Sequence, residues 1–156
     1  MSQDYKKILV TIDGSKGSEI ALQTALDILE RSKDGHLDIL SVLDLNSLEY
    51  GGAGIALDGE KIYQIEQDNE EYLLQKRQNI LDKYHLAPEQ VSVHLRFGNP
   101  KSVIVNDFQP EYENDLIVVG ATGKNFLQRI IVGSVASYVT RAARCDVLIA
   151  KDSSVE

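Results

Sequence analysis

A chain of 156 residues, 43% hydrophobic and 26% charged, fills one core and is too short for two ordinary ones. Its 24 acidic against 16 basic side chains leave a formal charge of −8, a field that repels the phosphates of nucleic acids and anionic lipids and disfavours both as partners. The single cysteine, Cys145, excludes an internal disulfide and a cysteine-rich zinc site; with a polar N-terminus lacking a signal-peptide stretch, it makes the cytoplasm the expected compartment.

Five short β-branched or leucine-rich runs with little alternation read as strands buried on both faces: Ile8–Ile12, Leu37–Leu43, Val91–Leu95, Leu116–Val119 and Val147–Ala150. Between the first two, Ala21, Leu22, Ala25, Leu26, Ile28 and Leu29 recur at helical spacing and predict a helix from Ser18 to Arg31. Four glycines between Asn46 and Gly59 predict a mobile loop, which either covers a ligand or is a surface insertion without a role. Ile62, Ile65, Leu73, Ile80, Leu81 and Tyr84 predict a long, well-solvated helix from Glu60 to Tyr84. A third helix is expected to start at Pro100, carry Val103, Ile104 and Phe108 inward, and stop at Pro110. A fourth follows Gly133, with Val135, Tyr138, Val139 and Ala142 on one face.

This strict β-α alternation predicts one α/β domain over residues 1–152, with 153–156 as a tail. Its architecture is a Rossmann-like, open five-stranded parallel sheet with helices on both faces. No run of about 18 apolar residues is present, so no membrane span is expected.

Ligands of such sheets bind beyond the carboxyl ends of the strands, where the strand order reverses. There the chain reads Gly120-Ala121-Thr122-Gly123, nine further residues, then Gly133-Ser134 opening the last helix. Glycines let the main chain approach a ligand closely, and free N–H groups at a helix start attract phosphate. A glycine pair after a strand also serves ordinary turn geometry. The spacing is neither a Walker A loop nor the dinucleotide Gly-x-Gly-x-x-Gly fingerprint.

The pattern Gly-x2-Gly-x9-Gly-Ser resembles the phosphate-binding motif of ATP-binding universal stress proteins, and the likeness runs along nearly the whole chain. Tyr5-Lys6-Lys7-Ile8-Leu9-Val10-Thr11-Ile12-Asp13-Gly14-Ser15 is similar to that family's first strand and turn, and Leu40-Ser41-Val42-Leu43-Asp44 to its second strand. Gly98-Asn99-Pro100 resembles its Gly-x-Pro turn, and Asp115-Leu116-Ile117-Val118-Val119-Gly120 its fourth strand. One departure is visible: many members read Cys-Pro-Val-Leu-Val-Val where this chain has Cys145-Asp146-Val147-Leu148-Ile149-Ala150.

The resemblance implies a cofactor, ATP, with Mg²⁺ held mainly by its phosphates. It places the adenine edge on the backbone of Val42 and draws in Thr11, Ile12 and Asp13 at the end of the first strand. Asp13 is then a ribose ligand or else a helix cap, a task for which Ser15 competes. Gly120 and Ala121 are implied beside the ribose, Gly123 beside the phosphates, and Gly133, Ser134 and Val135 as donors to the phosphate chain. Lys124 and Arg129 either neutralise phosphate charge or are solvated. The resemblance also implies a homodimer paired through Val147–Ala150. The function it implies is a nucleotide-dependent regulatory or stress-response module; a slow ATP hydrolase and a nucleotide-independent dimeric interaction protein are the alternatives. His36, His85 and His94 lack ligand spacing and read as ordinary surface or strand residues, and Cys145 as a packed thiol.

Overall fold

The computed structural model describes residues 4–50, 58–121 and 132–152, the side chains of 48–50 excepted. Five strands, β1 (Lys7–Thr11), β2 (His36–Leu43), β3 (Val91–Phe97), β4 (Leu116–Gly120) and β5 (Asp146–Ala150), form one sheet in the order β3-β2-β1-β4-β5. Every neighbouring pair is parallel, with Lys7 opposite His36 and Val42 opposite Arg96. The chain therefore winds outward from β1 to β3, then crosses back to β4, and strand order reverses between β1 and β4.

Side chains alternate across each strand, yet both sets are apolar because both faces are covered. Ile8, Val10, Leu37, Ile39, Leu116 and Val118 pack beneath α1 (Lys16–Glu30) and α3 (Gly59–Lys83). Leu9, Leu40, Ile117 and Val119 face α4 (residues 100–112) and α5 (Ser134–Ala142). Helices thus lie on both faces, as the alternation predicts. No helix among the described residues is long and apolar enough to cross a membrane.

Local chemistry sets where these helices begin. Ser15 caps α1, its Oγ accepting from the Ser18 N–H at 3.1 Å, and Asp58 caps α3 by accepting from the Lys61 N–H at 2.9 Å. Leu45–Tyr50, read from sequence as loop, forms a short helix, α2. The reason is Asp44, whose Oδ1 accepts from the N–H groups of Asn46 (3.1 Å) and Ser47 (3.3 Å) and so nucleates a turn. The rest of the expected loop, up to residue 57, lies outside the described residues.

Pro110 does not stop α4, contrary to expectation. The helix starts as an α-turn, Pro100–Ser102, widens into a π-helical segment, Val103–Phe108, and closes as Gln109–Tyr112. In the wide segment the Gln109 N–H reaches back to the Ile104 carbonyl, five residues away, and the looser turn makes room for the proline ring without breaking the helix. It ends instead at Glu113, which adopts the left-handed conformation at φ 54°.

Candidate functional site

A crevice opens at the carboxyl ends of β1, β2 and β4, beside the point where strand order reverses. Its floor is Val42, Thr11 and Val119; Pro100 and Ile104 of α4 form one wall and Gly133 to Ala136 at the start of α5 the other. An apolar slot with a polar rim suits a flat, partly apolar ligand carrying charge at one end.

The rim is shaped by a tight turn after β1. Gly14 sits at φ 83°, where a side chain would be strained, and lets the chain fold back so that the Ser15 N–H meets Asp13 Oδ1 at 2.9 Å. Ser18, buried under this turn, accepts from the Asp13 N–H at 3.2 Å and donates to the Ser15 carbonyl at 3.0 Å. The cap of α1 accordingly falls to Ser15. Asp13 braces the turn with one carboxylate oxygen, while its other oxygen has no partner among the described residues.

At the opposite wall, α5 begins without a side-chain cap. The first N–H groups of any helix lack intrahelical acceptors and carry partial positive charge. Ser134, Val135 and Ala136, which carry these N–H groups, line the crevice, and Ser134 is exposed. Gly133 differs: its N–H is already bonded to the Ala121 carbonyl at 2.7 Å, so it is not a free donor.

Eight of the residues picked from sequence, Thr11, Ile12, Asp13, Val42, Gly120, Gly133, Ser134 and Val135, meet in this one crevice. Ala121 does not line it; besides accepting from Gly133, it donates its N–H to the Ala150 carbonyl at 2.9 Å, tying the crevice edge to β5. Gly123, Lys124 and Arg129 lie outside the described residues. Sequence reasoning missed Ser15, Ser18, Pro100, Ile104, Val119 and Ala136 as lining residues. Their signal was position: each sits at the crevice end of an element already assigned.

Gly120 has a second task. A Cβ there would come within 2.6 Å of the Gly17 carbonyl oxygen, in the first turn of α1, so the bare Gly120 lets α1 settle on the end of β4. Gly120→Ala is expected to cost about 1–3 kcal/mol by overpacking, seen in a thermal melt as a fall of several degrees. An unchanged melting temperature would show that α1 yields freely.

Two further groups stand away from the crevice. Burial, with Asp146 and Asp115 nearby, pushes the Cys145 thiol up to about 11, which leaves it protonated and a poor nucleophile. His36 and His94 lie on strands β2 and β3, within the surface-or-strand reading of the sequence, and both are hydrogen-bonded to Asp38, which is 1% exposed. An aspartate within the mostly apolar run of β2 was the available clue.

The model of the universal stress protein family matches residues 4–151. The chain belongs to that family. A Staphylococcus haemolyticus protein assigned to the universal stress proteins is 33% identical over 151 residues, 97% of this chain and 87% of its own length. The structure of the universal stress protein UspA from Lactobacillus plantarum superposes with a TM-score of 0.75 at 26% identity, covering 96% of this chain and all of that one. A universal stress protein from Archaeoglobus fulgidus, solved in complex with dAMP, shares the fold at a TM-score of 0.62 and 24% identity, over 96% of this chain and 100% of its own.

Proposed function

We propose that this universal stress protein is a regulatory adenine-nucleotide-binding module that takes ATP in the crevice, with Mg²⁺ held through the phosphates. The observation that carries this reading is the N-terminus of α5, which has no side-chain cap and opens into an apolar slot whose far rim presents a carboxylate oxygen without a partner among the described residues. Val42 would hold the base through its backbone, Asp13 the ribose hydroxyls, and the Ser134 and Val135 N–H groups with the Ser134 hydroxyl the phosphates. The fold neighbour solved with dAMP supports an adenine nucleotide as the ligand class. Efficient hydrolysis is not expected, because among the described residues Asp13 is the only ionisable side chain lining the crevice, and this reading assigns it to the ribose end.

β5 is an edge strand, and pairing of Val147–Ala150 with a second copy would cover that edge and make a homodimer. Calorimetric titration with ATP and Mg²⁺ tests the binding reading. Wild type is expected to bind, and Asp13→Ala to bind about tenfold more weakly, with light scattering reporting a dimer for both. No heat with wild type would leave the nucleotide-independent interaction protein as the better account.

A further inference from the structure

The far end of the sheet carries a cluster that plays no part in the crevice. His36 opens β2, and Asp38 follows two residues later on the same face. Asp38 Oδ1 is 3.1 Å from His36 Nε2 and 2.9 Å from His94 Nε2. Asp38 Oδ2 accepts from Asn114 Nδ2 at 3.0 Å and lies 3.8 Å from Lys7 Nζ. The other ring nitrogen of His36, Nδ1, is 2.9 Å from the carbonyl oxygen of Glu89, in the 3-10 turn Pro88–Gln90 that leads into edge strand β3.

Both atoms facing the His36 ring are acceptors: a carbonyl oxygen on one side and an ionised carboxylate on the other. A neutral imidazole has one N–H and can satisfy only one of them, whereas the imidazolium satisfies both. We infer that His36 is a proton-operated latch: charged, it ties the Pro88–Gln90 turn, and with it the start of β3, to buried Asp38; on losing its proton it lets one of the two go.

The groups around it do not duplicate this behaviour. Lys7, on neighbouring β1, faces Asp38 through the other carboxylate oxygen, Oδ2, at 3.8 Å. Arg77 of α3 holds the same turn from the other side, through the carbonyls of Pro88 (2.7 Å) and Val91 (2.8 Å), and is permanently charged. Glu89 enters only through its carbonyl, its side chain being exposed. His94 offers one N–H to Asp38, and its ring rests edge-on to Phe108 at 4.8 Å and beside Tyr112 at 4.9 Å; a neutral ring meets that need. The inference is independent of what occupies the crevice.

Two measurements test it. Ring-nitrogen NMR of the wild type at about pH 6 is expected to show both His36 nitrogens protonated, and at about pH 8.5 only one. Urea unfolding is expected to give a folding equilibrium constant about tenfold larger at the lower pH, a difference largely removed in His36→Gln, where only the smaller share from the buried Cys145 thiol remains, and retained in His94→Gln. A His36 ring carrying a single proton at pH 6, or a tenfold pH difference that survives His36→Gln, would overturn the latch. If His36→Gln fails to fold, the wild-type ring spectrum decides alone.

Discussion

Ser134→Pro is expected to weaken ATP binding by about 30-fold while leaving the fold and its melting temperature nearly unchanged. Proline is tolerated at the first position of a helix, where the lost N–H has no intrahelical acceptor, and Gly133 before it already has the extended backbone that a residue preceding proline needs (φ −61°, ψ 160°). The substitution therefore removes one amide donor and the hydroxyl from the crevice wall without breaking α5. A hydrogen bond to a charged group contributes about 1.5–3 kcal/mol, which is a factor of about ten to a hundred in affinity. Because the loss falls at the phosphate end, adenosine should bind wild type and variant alike, while ATP separates them. Equal titration curves for ATP would place the phosphates away from α5; a parallel loss for adenosine would point to a distorted crevice.

The sequence carried much of this, and the reason is local. Each strand buried on both faces has to be a continuous apolar run, so Ile8–Ile12 or Leu116–Val119 announces itself without knowledge of its neighbours. Asp13, Val42 and Ser134 were readable because the likeness to the family fixes them at strand ends and a helix start. What escaped depends on contacts between distant residues or on geometry that composition does not encode. The Gly133 N–H is taken by Ala121 across the end of β4, and only the folded chain brings them together. Pro110 reads as a helix stop because proline usually is one, and the π-turn that accommodates it leaves no pattern in sequence. The histidines lacked ligand spacing along the chain, yet β2 and β3 pair so that His36 and His94 converge on Asp38.

That convergence makes Asp38→Asn the substitution expected to harm the fold most, by about 3 kcal/mol at neutral pH, since it removes one partner of a buried charged network. Burial by itself would raise the Asp38 pKa, but hydrogen bonds from His36, His94 and Asn114 outweigh it and hold the carboxyl well below the usual carboxylate range. Donors arrive at both oxygens, so no orientation of an asparagine amide serves them all: either Asn114 or the two imidazole N–H groups would face an NH₂. Asn114 can turn over to offer that NH₂ its Oδ1, which has no hydrogen-bond partner among the described residues, but this leaves its own buried Nδ2 without the acceptor it has in Asp38. A carboxyl that is more acidic folded than unfolded binds fewer protons in the native state, so its contribution to stability is complete above the unfolded value of about 4 and drains away as pH falls below it. Urea unfolding of wild type and Asp38→Asn between about pH 3 and pH 7 should show the gap between them narrowing on the acid side, with the variant the flatter of the two. Parallel curves would mean that the ionised carboxylate adds nothing to the fold, and the network around it would then be packing rather than electrostatics.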